Sequence, residues 1–145
     1  MSFRGTFAHA LDTKGRLTIP ASMREELEAG FVLTRGYGAY LVIYPQHIWD
    51  EQERLMAALP RTSEERRAFS RWTWGGAAES VIDRLGRVLI PDHLRSYAGL
   101  DDQAVIVGSL DSIEIWSPLA YEQVLSADRE RLPDILESLA AKGII

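Results

Sequence analysis

Apolar and polar positions alternate in short runs along this chain and then switch to helical spacing, and the switch happens twice. Tyr40-Leu41-Val42-Ile43-Tyr44-Pro45 and Ile113-Glu114-Ile115-Trp116-Ser117-Pro118 read as strands, each ending where Pro45 or Ser117-Pro118 opens a helix. Gln46 to Leu59 places Ile48, Trp49, Leu55, Met56 and Leu59 at helical spacing. Thr62-Ser63-Glu64-Glu65 fits a capping box ahead of a second amphipathic helix, with Phe69, Trp72 and Ala68 as its apolar face and Arg66, Arg67 and Arg71 toward water or a partner. A third helix is expected over Pro133 to Lys142, with Ile135, Leu136 and Leu139 apolar and Gly143 as its stop.

The pattern is an internal repeat. Asp12-Thr13-Lys14-Gly15-Arg16-Leu17-Thr18-Ile19-Pro20 aligns with Asp83-Arg84-Leu85-Gly86-Arg87-Val88-Leu89-Ile90-Pro91 at an offset of 71, and Arg24 meets Arg95 at the same offset. Beyond Leu100-Asp101-Asp102 the offset becomes 73, where Tyr40 to Pro45 meets Ile113 to Pro118. Each copy predicts a strand, a tight turn at Asp-x-x-Gly, a strand ended by proline, a brief helix over Ala21 to Leu27 or Asp92 to Tyr97, two more strands and a helix. Asp in the first and Gly in the fourth position suit a type I turn, because the carboxylate accepts from nearby backbone N–H groups and glycine tolerates the exit conformation. A segment this small cannot bury enough apolar area to fold alone, so the two copies must pack together. We expect an α+β, β-rich chain organised as a first repeat with its trailing helix (1–60), a linking helix (61–76) and a second repeat with C-terminal helices (77–145), in one pseudo-two-fold body. Spacing alone leaves open whether the two turns sit side by side.

Composition adds a boundary. The chain has 145 residues, 46% of them apolar, and no cysteine. That excludes a disulfide framework, a thiol nucleophile and a thiolate metal site, and makes a cytoplasmic setting the default. No apolar run spans a membrane. The formal charge of -5 is unevenly spread. Residues 1–24 carry four bases against one acid and residues 61–95 seven against five, whereas residues 96–145 carry nine acids against three bases. Basic surface therefore comes from the two segments that hold the turns.

Chemistry-bearing constellations are few. His9, His47 and His93 form no metal-ligand pair, and no nucleophile elbow or phosphate-binding glycine loop occurs. The chain reads as no enzyme, with no cofactor, metal or small-molecule ligand implied. Arg16 and Arg87 stand out, since each directly follows a tight turn and a guanidinium presents a planar fork to guanine O6 and N7 in the major groove. Lys14 and Arg84, at the turn tips, suit phosphate contacts. The competing role is an ion pair across each turn, Arg16 with Asp12 and Arg87 with Asp83, which at a surface contributes about 0–1 kcal/mol. Repetition favours the binding role. Trp49, Phe69, Trp72, Trp74 and Trp116 read as packing residues.

Taken together, Phe3-Arg4-Gly5-x-Phe7, two Asp-x-x-Gly-Arg turns each trailed by Ile-Pro, Tyr44-Pro45 and Ile115-Trp116-Ser117 resemble the MraZ family over residues 3–125. The resemblance implies a duplicated AbrB-like swapped-hairpin β-barrel. It also implies a transcriptional repressor that binds double-stranded DNA at tandem short repeats upstream of its own operon, in the division and cell-wall gene cluster. Ring-shaped homo-oligomers associated with the nucleoid are implied as well. Its DNA-binding motif carries onto Asp12 with Arg16 and Asp83 with Arg87, with Gly15 and Gly86 inside the turns. An antitoxin-like interaction module of the same fold is the alternative, distinguished by an extended acidic tail where the apolar spacing here is helical.

Overall fold

The computed structural model describes residues 2–145. Eight strands form in chain order: β1 (Thr6–Ala10), β2 (Arg16–Thr18), β3 (Phe31–Arg35), β4 (Tyr40–Pro45), β5 (Ala78–Ser80), β6 (Arg87–Leu89), β7 (Gln103–Ser109) and β8 (Ser112–Trp116). Among them run helices α1 (Ala21–Arg24, continued by a 3-10 turn over Glu25–Leu27), α2 (Gln46–Ala57), α3 (Glu64–Thr73), α4 (Asp92–Ala98) and α5 (Pro118–Ala141). The fold is mixed α+β and rich in antiparallel strands.

Its strand order answers the packing problem set by the repeat. Six strands join as β1-β7-β8-β4-β3-β5, while β2 and β6 pair separately as a two-stranded ribbon. The order is palindromic in repeat terms. The first strand of each repeat leaves its own copy and pairs with the third strand of the other, β1 with β7 and β5 with β3. The fourth strands meet in the middle, β4 against β8, with Leu41 opposite Ile115 and Ile43 opposite Ile113. The pairings leave an open sheet and a ribbon; they do not close a barrel among the described residues.

The core lies between the sheet and the ribbon. Leu17 and Val88, central in the ribbon and opposite one another, are fully buried, as are Ile19, Ile90, Leu33 and Ile106. Burying such a side chain contributes about 1.5–3 kcal/mol. Each repeat supplies only part of both walls, three strands of the sheet and one of the ribbon, so the core forms only when the copies exchange strands.

The helices depart from expectation in three places. The expected Pro133 to Lys142 helix is the end of α5, which runs unbroken through Pro133. Ser117 caps its start by accepting the Ala120 N–H at 3.1 Å, and Gly143 follows its end with φ of 73°. Apart from Asp128, the intervening Ala127 to Leu132 segment is made of good helix formers, and Pro133 is exposed, so water can satisfy the carbonyl it leaves without an N–H. At α3 the cap is Ser63, which accepts the Arg66 N–H at 3.2 Å. The third helical position is then an arginine, which cannot return the bond, so the capping box is one-sided. Ala68 is exposed rather than apolar-face packing, and Leu55 and Leu59 of the preceding segment are exposed too. No helix among the described residues is long and apolar enough to cross a membrane.

Candidate nucleic-acid interface

Each Asp-x-x-Gly-Arg segment builds the same turn. The Gly15 N–H donates to the Asp12 carbonyl at 3.0 Å, and the Asp12 N–H to the Arg16 carbonyl at 3.0 Å. Asp12 Oδ1 accepts from the Lys14 and Arg16 N–H groups at 3.0 and 2.8 Å, leaving Oδ2 for Arg16 Nε at 2.6 Å. In the second copy Asp83 Oδ1 accepts from Leu85 and Arg87 N–H, both at 2.9 Å, and Oδ2 from Arg87 Nε at 2.9 Å. Gly15 and Gly86 hold φ of 83° and 79°, the left-handed region that a side chain resists.

These bonds set the electrostatics. The Arg16 backbone N–H, then its guanidinium and the Lys14 N–H, hold the Asp12 carboxyl down to about 2 against the opposing effect of desolvation. The Asp83 carboxyl is lowered too, first by the Arg87 backbone N–H. Both ion pairs foreseen across the turns are therefore formed. They engage Nε alone: no hydrogen bond among the described residues uses the Nη groups of Arg16 or Arg87. Pinned at Nε, Arg16 keeps both Nη groups of its fork for a second partner, whereas Arg87 also turns Nη1 toward Asp12 and keeps Nη2.

Ribbon pairing brings the two turns together. Arg16 lies opposite Leu89, Leu17 opposite Val88 and Thr18 opposite Arg87. With Leu17 and Val88 turned into the core, Arg16, Thr18, Arg87 and Leu89 share the outward face. Arg87 Nη1 comes within 3.7 Å of Asp12 Oδ2, so one carboxylate sits between both arginines. Beyond the strands, Ile19 N–H donates to Gly86 O and Ile90 N–H to Gly15 O, each at 2.9 Å, tying each turn to the other repeat's strand.

Sequence reasoning brought Asp12, Arg16, Asp83 and Arg87 to the front, and the fold gathers them on one ribbon. Lys14 and Arg84 are exposed at the turn tips, at non-equivalent positions: the repeat mate of Lys14 is Leu85. Gly15 and Gly86 are buried and shape the turns rather than offering atoms at the surface. What covers them was missed. A Cβ on Gly15 would collide with the Arg95 guanidinium, and one on Gly86 with that of Arg24. Arg24 Nε donates to Ile19 O at 2.8 Å and Arg95 Nη1 to Lys14 O at 3.1 Å, so each repeat's arginine lies over the other's turn. The match of Arg24 with Arg95 at the repeat offset was the available signal. Arg66 and Arg67 instead donate to backbone carbonyls of Ala57 and Thr62, the first securing the end of α2.

Comparison with known proteins gives a consistent result. The profile of the family described as "MraZ protein, putative antitoxin-like" matches residues 2–72 and again residues 74–139, one match for each repeat. The protein named Transcriptional regulator MraZ from Roseiflexus castenholzii is 47% identical over 125 residues, spanning 86% of this chain and 87% of that one. Its namesake from Moorella thermoacetica is 43% identical over 142 residues, covering 98% and 96%. The one from Halothermothrix orenii is 39% identical over 142 residues, covering 98% and 99%. With both repeats matched and full-length relatives at these identities, the chain belongs to the MraZ family.

Proposed function

We propose that this protein is a sequence-specific DNA-binding transcriptional regulator, a repressor that occupies tandem short repeats upstream of its own operon in the division and cell-wall gene cluster. The observation that carries the reading is the paired ribbon, with the half-buried Arg16 and Arg87 on one outward face and each pinned by its aspartate. A two-stranded β-ribbon fits the major groove, and Arg paired to guanine is the commonest specific contact there. Lys14 and Arg84 at the turn tips supply phosphate contacts. The names of the relatives support regulation of transcription and a non-enzymatic role.

On this reading the strand exchange is the AbrB-like swapped hairpin made within one chain, its repeats 1–60 and 77–145 joined through 61–76 into one body. Ring-shaped homo-oligomers on the nucleoid reconcile the net negative charge with DNA binding, since every copy turns its ribbon the same way and acidic segments form the rest of the surface. Avidity across neighbouring repeats then supplies affinity, and a monomeric variant binds a single repeat poorly. The antitoxin-like alternative is favoured by the family's description, yet it calls for an extended acidic tail, and α5 is helical to Ala141.

The test is fluorescence anisotropy with a duplex of the protein's own upstream region, across a salt series and with competitor DNA. Arg16→Ala and Arg87→Ala are each expected to lose about 1–3 kcal/mol of specific binding, with folding verified by circular dichroism. Unchanged binding in the double variant returns both arginines to a structural role and defeats the proposal.

A further inference from the structure

The outward face of the ribbon carries two side chains besides the arginines, and the repeat places them at equivalent positions. Thr18 lies opposite Arg87 and Leu89 opposite Arg16. Leu89 is 53% exposed although both its neighbours, Val88 and Ile90, are fully buried. Packing gives no reason for a leucine there. It is too short and apolar to serve a phosphate, and it stands beside two guanidinium groups.

We infer that Leu89 and Thr18 are specificity residues that read the C5-methyl groups of thymines in the major groove, while the adjoining arginines read guanines. The inference rests on the proposed DNA-binding function and names what its recognition surface reads. The thymine methyl is the one apolar feature of the major-groove edge, and apolar side chains and the threonine methyl are its matching partners. Spacing agrees. Residues two apart on a strand are about 6.8 Å apart, close to two base-pair steps of about 3.4 Å each. Each strand thus presents one guanidinium and one methyl-bearing group two steps apart, and antiparallel pairing reverses that order on the other strand. The ribbon face matches a pseudo-palindromic core in which G·C and A·T pairs alternate in position. The halves are unequal, because Leu89 is wholly apolar and Thr18 is half-buried and carries a hydroxyl.

The experiment removes the methyl groups and nothing else. The upstream duplex is prepared with deoxyuridine in place of thymidine, keeping every base-pairing group, and the full chain is titrated against both duplexes with excess competitor DNA. Wild type is expected to bind the uracil duplex at least fourfold more weakly, roughly one buried methyl's worth. Leu89→Ala is expected to bind both duplexes alike within about twofold, and Thr18→Ser to keep part of the discrimination. Circular dichroism and light scattering on each variant confirm fold and assembly size. Equal wild-type binding to the two duplexes overturns the inference while leaving the DNA-binding reading intact. Full methyl discrimination in Leu89→Ala also overturns it, and a smaller assembly in that variant would then assign Leu89 to a contact between copies. If wild type shows no competitor-resistant binding to the thymine duplex, the proposed function itself fails, and this inference with it.

Discussion

The helices that follow the fourth strands, α2 in the first repeat and α5 in the second, begin from the same place in the repeat and end differently. α2 is clamped. Trp49 is buried with its ring 4.8 Å from that of Trp74 and 6.1 Å from that of Tyr44, Trp74 Nε1 donates to Glu53 at 3.0 Å, and Arg66 donates to the carbonyls of Ala57 and Leu59. α5 is twice as long, at 24 residues against 12, and has no buried residue. Near its start Trp116 stacks on Tyr40 at 4.4 Å and meets Tyr121 at 6.0 Å, and beyond Leu125 every residue of the helix but Ile135 and Leu139 is exposed. The difference teaches which part of the repeat is constrained. Strand exchange requires both copies to keep compatible β elements, whereas the helix after the fourth strand is free to acquire a cover such as α3 or to go without.

The largest effect expected from breaking this comparison is Trp49→Ala. Removing a buried indole between two aromatic neighbours costs about 3–5 kcal/mol, read from urea unfolding. A loss below about 1 kcal/mol would mean that α3 does not depend on α2 for its place.

A smaller effect separates the glycines of the turns from an ordinary helix stop. Gly86 has φ of 79° and lies under Arg24, whereas Gly99 at the end of α4 has φ of 63° with nothing among the described residues within 4 Å of its missing Cβ. Gly99→Ala is expected to cost about 1 kcal/mol, from backbone strain alone. Gly86→Ala adds the collision with Arg24 and is expected to cost more, within about 1–3 kcal/mol. Equal losses in denaturant titrations would show that Arg24 moves aside freely and holds nothing.

How far the sequence reaches is visible in these same residues. The turns were legible because their bonds are local: an aspartate that accepts N–H groups two and four residues ahead needs no tertiary information. The repeat gave away the strands and the need for two copies to share a core. Pairing partners lay beyond it, since β1 with β7 joins residues about a hundred positions apart and alternation does not name a partner. Arg24 over Gly86 was hidden for the same reason. Leu89 escaped notice because an apolar residue ahead of Ile90-Pro91 reads as core until Val88 is seen to take the inward side. Pro133 misled because proline is favoured in a first helical turn, and its tolerance in an exposed interior depends on surroundings that the sequence does not display.

The two turns carry the same formal charge but differ in the partners of their carboxylates, and acid sharpens that difference. Asp12 faces Arg16 and, at 3.7 Å, Arg87, whereas among the described residues Asp83 pairs with Arg87 alone. A carboxyl whose folded value lies below its ordinary 3.8 binds its proton more readily when unfolded, so it stabilises the fold above that value. That stabilisation fades as the pH falls from about 5 toward about 2. Stability is expected to decline through this window, with Asp12→Asn flattening the decline more than Asp83→Asn. Carboxyl carbon shifts followed by NMR should place Asp12 as the lower of the two. The reverse order would mean that Arg87 does not serve both turns.

The smallest expected effect concerns α5 itself. Deleting Asp128 to Ile145 removes Leu132 and Leu136, which are 45% and 44% exposed, and takes no side chain from the core. Unfolding free energy at low protein concentration should change by no more than about 0.5 kcal/mol, the range of surface substitutions away from special features. Concentration is the informative variable. If intact protein gains stability as it is concentrated and the truncated form does not, another copy covers the helix, because a partner that binds only the folded state stabilises it by mass action. If the deletion costs the same at every concentration, the helix acts within its own chain, and α5 has a cover that its exposure does not reveal.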